Sequence, residues 1–272
     1  MRQLTASMIS VRQGAALLVD AVSLELGRGE LFGLIGPNGA GKTSLLRAMA
    51  QLLPHQGQTL FDDTPLEQMT AATRALHLAY LAQGDHAAWP LTVNDFVALG
   101  RLPHRRDLAV NRTAVESALA HLNLQSLAER RINTLSGGER ARVRLARALA
   151  VEAPLLLADE PVAALDPYHQ LSVMERLREL CAQGASIIIV LHDLTLASRF
   201  CDRVLLMHHG QSVACGPPRQ VLTPAHLQQV YQVQTIHGEH DAEPYILPWR
   251  CQPQAVCHPT PSLEPSVHAY SS

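Results

Sequence analysis

The sequence predicts an α/β protein built on a parallel sheet, and three observations predict it. A continuously apolar run, Leu31 to Ile35, ends in GPNGAGKT, and the residues after it, Lys42–Leu52, place Leu45, Leu46 and Met49 on one helical face. Strand, glycine-rich loop and helix in that order open a parallel α/β unit. Further apolar runs follow at Leu78–Leu81, Leu155–Ala158, Ile187–Leu191 and Val204–Met207, and the last three alternate with helical segments, as crossover helices require. Between about Gly84 and Val151 the strand signals give way to helical spacing at Thr92–Leu99, Arg112–His121 and Gly138–Ala150. That stretch, 84–151, is expected to be a helical subdomain inserted into the α/β core.

Shorter elements fill in the rest. Apolar runs near Ser7–Val11 and Val22–Leu26 read as strands around a turn at Gly14, and His208-His209-Gly210 reads as a hairpin turn. From Pro248 onward come Pro253, Pro259, Pro261 and Pro265 with little periodicity, so residues 248–272 are expected to be an extended or disordered, flexible tail behind a folded domain of residues 1–247. Cys251, Cys257, His258 and His268 in that tail do not have the spacing of a zinc ribbon or finger, and their bland reading is incidental.

Composition bounds the function. With 272 residues, 47% hydrophobic and 4% aromatic, the chain has enough apolar material for a substantial core. A net charge of −2 gives no global positive field for nucleic acid. Its longest apolar stretches fall well short of the roughly 18–20 residues that cross a bilayer, and the N-terminus lacks the apolar run of a signal peptide. Five scattered cysteines make no disulfide framework, which points to a reducing compartment. Lys42 is the sole lysine among the 22 basic side chains.

That lysine stands in a phosphate-binding pattern. Gly36, Pro37, Asn38, Gly39, Ala40, Gly41, Lys42, Thr43 and Ser44 form a loop whose glycines let the backbone curl and aim N–H groups at phosphate oxygens. The following helix N-terminus favours the same anions. Lys42 is expected to reach the β- and γ-phosphates and Thr43 to hold Mg²⁺. The apolar strand Leu155–Ala158 delivers Asp159 and Glu160 to the sheet's carboxyl edge beside this loop. Asp159 is expected to bind Mg²⁺ through water, and Glu160 to orient and deprotonate the attacking water. On its own this pair equally suits an acidic helix start. LSGGE at Leu135–Glu139 is a helix cap by itself, with Ser136 as N-cap. Ser136, Gly137 and Gly138 also make a second anion-binding surface, so two half-sites from two chains can enclose one nucleotide.

GPNGAGKT, LSGGE, LLLADEP, Gln83 and His192, in that order, resemble the ATP-binding subunits of ABC transporters over about residues 6–235. The resemblance implies a RecA-like P-loop NTPase core with an N-terminal antiparallel β-subdomain and an inserted helical subdomain. It implies ATP and Mg²⁺ as ligands and a head-to-tail homodimer in which Ser136 and Gly138 grip the γ-phosphate held by the partner's Lys42. By the same resemblance Gln83 contacts Mg²⁺ or the lytic water, His192 contacts the γ-phosphate beside Glu160, and Asp166 lies in the loop that crosses the dimer interface. Two departures stand out. Glu139 replaces the more usual glutamine, and no aromatic residue stands near Gln13 to stack on adenine, leaving the Arg12 guanidinium plane as a substitute.

The segment Trp89–Asp107, WPLTVNDFVALGRLPHRRD, is similar to cassettes that import iron–siderophore complexes, haem or cobalamin. This implies two multi-span permease subunits contacting the chain near Gln83–His104, a periplasmic binding protein acting indirectly, and a peripheral position on the cytoplasmic face of a bacterial inner membrane. Cassettes for other substrates are the alternative. A DNA-maintenance ATPase would carry a long coiled-coil insertion, whereas Lys42 and Ser136 are only 94 positions apart and no heptad run separates them.

Overall fold

The computed structural model describes residues 2–84, 90–104 and 108–251. The chain opens with two long antiparallel strands, β1 (Arg2–Gln13) and β2 (Ala16–Gly27), closed by a turn at Gly14. They exceed the apolar runs at their centres because a bulge at Met8, with φ of 53°, shifts the alternation between Ala6 and Ile9. On the other side of β1 lie β4 (Gln56–Phe61) and β5 (Thr64–Pro65), giving the order β2-β1-β4-β5. Sequence reading passed over β4 because QGQTLF buries only Thr59 and Phe61; its pairing with β1 makes it a strand.

The second sheet has six strands in the order β10-β9-β3-β8-β7-β6. These are β3 (Leu31–Ile35), β6 (Leu78–Leu81), β7 (Leu155–Ala158), β8 (Ser186–Val190), β9 (Arg203–His208) and β10 (Gln211–Gly216). All are parallel except β10, which returns from β9 through His209-Gly210, both at positive φ as a tight hairpin requires. Both faces of this sheet are buried. Leu31, Ile35, Leu156, Ile187 and Ile189 face one core, and Phe32, Leu34, Leu157, Ile188 and Val190 face the other. Each such side chain removed from water contributes about 1.5–3 kcal/mol, which explains the unbroken apolar runs.

Helix α1 (Lys42–Met49) packs Leu45, Leu46 and Met49 against the β3 face that the antiparallel sheet also covers. A short α2 (Ala71–His77), capped by Thr70, leads into β6. Then come α3 (Val93–Ala98), α4 (Leu108–His121) and α5 (Gly137–Leu149), with no strand among the described residues between Gln83 and Leu155. Helix α6 (Pro167–Ala182) has Asp166 as N-cap and Pro167 at its first position, and α7 (Leu194–Phe200) follows β8.

After β10 come α8 (Pro218–Val221), α9 (Pro224–Tyr231) and a ribbon of β11 (Val233–His240) and β12 (Glu243–Cys251). The ribbon corrects the expected start of the tail at 248. Pro248 pairs with Thr235 and Arg250 with Gln234, so this stretch is a strand whose proline sits at a register shift. Residues 252–272, including Cys257, His258 and His268, lie outside the described residues.

Candidate functional site

The glycine loop is built by close backbone approaches. Gly36 and Gly41 hold φ of 155° and 95°, and a Cβ at either would meet the Met207 or Leu18 carbonyl oxygen at 2.3 or 2.4 Å. Only glycine fits these two places. Gly41 is the N-cap of α1, so the first turn's N–H groups face the loop. Lys42, 6% exposed, donates its Nζ to the Gly36 and Pro37 carbonyls at 2.6 and 2.9 Å. Burial lowers its pKa, opposed by the nearby Glu160 and Asp159 carboxylates.

Sheet register assembles the remaining groups. Ala158 of β7 is level with Leu81 of β6 and Ile189 of β8. Gln83, Asp159, Glu160 and His192 follow those residues by one to three positions and therefore emerge together at the carboxyl edge. A cavity of about 520 Å³ is lined by Leu18, Asn38, Gly39, Ala40, Gly41, Lys42, Thr43, Ser44, Gln83, Glu160 and His192. Its size and its polar floor of backbone N–H groups suit a phosphorylated small molecule.

Asp159 lies beneath the loop, 1% exposed, and accepts from the Thr43 hydroxyl at 3.2 Å through Oδ1. Its Oδ2 is buried without a hydrogen-bond partner. Burial raises the pKa of this carboxyl, and the Thr43 bond and Lys42 charge only partly offset it. An orphan carboxylate oxygen next to a threonine hydroxyl is a hard-oxygen pair of the type that holds Mg²⁺, directly or through water. Among the described residues there is no group of three or more His, Cys, Asp and Glu placed to hold a metal ion.

Glu160 occupies a left-handed backbone conformation, φ 51°, directly after the strand. Such strain in a non-glycine residue concentrates at functional sites. Its Oε2 accepts from Gln83 Nε2 at 2.7 Å, and its Oε1 meets His192 Nε2 at 2.5 Å. Two groups, from beyond the ends of β6 and β8, thus share one carboxylate from beyond the end of β7.

The structure does not bring every expected residue here. Ser136, Gly137 and Gly138 start α5 and do not line the cavity. They form a reciprocal cap in which Ser136 Oγ accepts from the Glu139 N–H at 3.2 Å and Glu139 accepts from the Ser136 N–H at 2.7 Å. That cap explains Glu139, since glutamate and glutamine serve equally at this position, and the backbone N–H lowers its pKa. Asp166 is exposed and accepts both from the His169 N–H and from its ring. Arg12 lies opposite Leu17 at the tip of the β1–β2 hairpin and does not line the cavity, whereas Leu18, which sequence reasoning missed, does. Leu18 stands between Leu17 and Val19 in an apolar run that singles out none of its members; the approach of Gly41 to its carbonyl reveals its place. Trp89 and the rest of 85–89 and 105–107 lie outside the described residues.

Comparison with known proteins completes the picture. The ABC transporter family model matches residues 19–163. The hemin import ATP-binding protein HmuV of Pseudomonas entomophila is 41% identical over 238 residues, covering 85% of this chain and 93% of that protein. HmuV of Shewanella denitrificans is 41% identical over 253 residues, covering 90% and 100%. Among solved structures, an ATP-binding subunit of an ABC transporter superposes with a TM-score of 0.73 at 26% identity, over 80% of this chain and 91% of that one. A dimeric ATP-binding cassette holding ADP and phosphate gives 0.72 at 25% identity, over 79% and 99%.

Proposed function

The chain belongs to the ABC transporter family, and from that premise we propose that it is the ATP-hydrolysing subunit of a metal-chelate importer, with hemin the foremost cargo. The observation that carries the hydrolytic part is the Glu160 carboxylate, poised in a strained turn between Gln83 and His192 above Lys42. Similarity to hemin import subunits over most of the chain supports the cargo. The cassette itself does not touch cargo.

In this reading the loop amides and the Lys42 ammonium neutralise the β- and γ-phosphates, while Glu160 takes a proton from the attacking water. Gln83 and His192 hold the carboxylate in place and present the water and γ-phosphate to it. When bound, Mg²⁺ supplies charge neutralisation at the phosphate oxygens, with Thr43 and Asp159 as its protein anchors. Ser136, Gly137 and Gly138 of a second copy complete the phosphate cage, so the working unit is a homodimer. Two multi-span permease subunits dock near the described parts of Gln83–His104, on the cytoplasmic face of the membrane, with a periplasmic binding protein upstream. No helix of the described residues is long and apolar enough to cross a membrane, so anchoring falls to those partners.

The test is reconstitution. The cassette, co-expressed with a multi-span permease that it co-purifies with, is placed in proteoliposomes and assayed with hemin, a ferric siderophore and cobalamin. ATP-driven uptake of hemin is the expected result, and uptake of another solute reassigns the cargo. No ATP hydrolysis by the assembled complex overturns the reading.

A further inference from the structure

Helix α7 begins at Leu194, one residue beyond His192, with Asp193 as its N-cap, and it is clamped between two layers. Leu194, Leu196 and Ala197 pack into the core. The opposite face meets the C-terminal ribbon. There the Thr195 hydroxyl donates to the Ile246 carbonyl at 2.9 Å and accepts from the Ile246 N–H at 3.1 Å. One hydroxyl thus satisfies both backbone groups of a residue on an edge strand, as a neighbouring strand would. Ser198 Oγ reaches the Pro244 carbonyl at 3.4 Å, and Arg199 pairs with Glu243. Ile246 itself is 6% exposed.

The ribbon has only two strands, and such a unit is marginal in water by itself. Its attachment to α7 therefore stabilises both partners. His192 contributes one contact to Glu160 from a side chain that is otherwise 40% exposed, so its placement depends on the backbone of the turn into α7. Asp193 caps that turn through the Leu196 N–H at 2.8 Å, and Thr195 is the residue in the turn that reaches out of it.

We propose that Thr195 is a positioning residue for hydrolysis, through which the C-terminal ribbon fixes His192 against Glu160. The inference rests on the reading of the chain as an ATPase. It makes β11–β12 part of the hydrolytic apparatus, although no residue of the ribbon touches the cavity.

Thr195→Val keeps the shape and removes both hydrogen bonds. In the full-length chain it should lower kcat for ATP about tenfold, the order expected from losing two part-buried hydrogen bonds. The KM for ATP should stay within about twofold, because Lys42 and its loop are untouched. Thr195→Ser restores the hydroxyl and should restore kcat. If Thr195→Val fails to fold, Glu243→Gln severs the ion pair on the same helix face and should give the same split at about twofold. Unchanged kcat in Thr195→Val, or a Thr195→Ser variant as impaired as the valine one, overturns the inference. A wild-type chain without ATPase activity overturns the function instead, so the two failures are distinct.

Discussion

The Gln83 side-chain amide donates to the Glu160 carboxylate across 2.7 Å, joining the end of β6 to the end of β7. Gln83 is the first residue of the stretch that leads into α3, α4 and α5, so the position of the proposed base is tied mechanically to that helical region. His192 occupies the other carboxylate oxygen. For water to be activated, Glu160 must exchange one of these contacts.

Glu160→Gln tests the base directly. An amide keeps the shape and one acceptor but takes no proton. Turnover should fall about 10²–10⁴-fold, the usual worth of a positioned general base, while ATP binding stays near wild type. Single-turnover hydrolysis and equilibrium nucleotide titration separate the two. A variant that hydrolyses ATP at the wild-type rate removes Glu160 from the role.

Asp159→Asn should move stability and function in opposite directions. The native carboxylate is buried, carries an orphan oxygen and has a raised pKa. A raised acid pKa means that ionisation costs stability in the fold, a cost present above that pKa and relieved as pH falls through it. The asparagine variant should therefore melt about 2–4 °C higher in nucleotide-free protein at neutral pH, with the gap closing on acidification. Mg²⁺-dependent ATP affinity should drop about 10- to 100-fold, as for lost second-layer metal ligands. Equal melting temperatures across pH would contradict the buried-charge account.

Much of this was legible because parallel strands leave dense signals. Strands β3, β7, β8 and β9 are buried on both faces and appear as apolar runs, and each ends in a residue of the site or beside it. The glycine loop was equally readable, since its backbone path admits few sequences. By contrast β4, β11 and β12 bury few of their residues and owe their form to a neighbour, which a linear pattern cannot show. Pro248 misled for the same reason: a proline reads as a break, yet a register shift accommodates it. Leu18 and Thr195 were invisible in sequence because each matters through one distant contact.

The base of the nucleotide offers a comparison between two residues of one hairpin. Leu18 lines the cavity and Arg12 does not. Leu18→Ala should weaken ATP binding several-fold, in line with removing apolar contact worth about 1 kcal/mol. Arg12→Ala should leave it within about twofold. Isothermal titration with ATP and GTP gives both numbers. Strong loss in Arg12→Ala would restore the guanidinium stack that the missing aromatic near Gln13 suggests.

Lys42→Arg is the sharpest prediction, because it preserves charge in a chain that uses arginine at every other basic position. The ammonium sits between the Gly36 and Pro37 carbonyls, 6% exposed, at the floor of a loop that leaves no room for a Cβ at Gly36 or Gly41. A guanidinium is planar, wider and donates in fixed directions, so it cannot satisfy both carbonyls and turn to the phosphates as a three-fold donor does. Forcing it in overpacks the loop. ATPase activity should fall by about two orders of magnitude or more, comparable to removing a phosphate-stabilising donor. Circular dichroism should still report the native secondary structure, since the strands beneath the loop are unaffected. An arginine variant that hydrolyses ATP within a few-fold of wild type would show that charge alone suffices at this position.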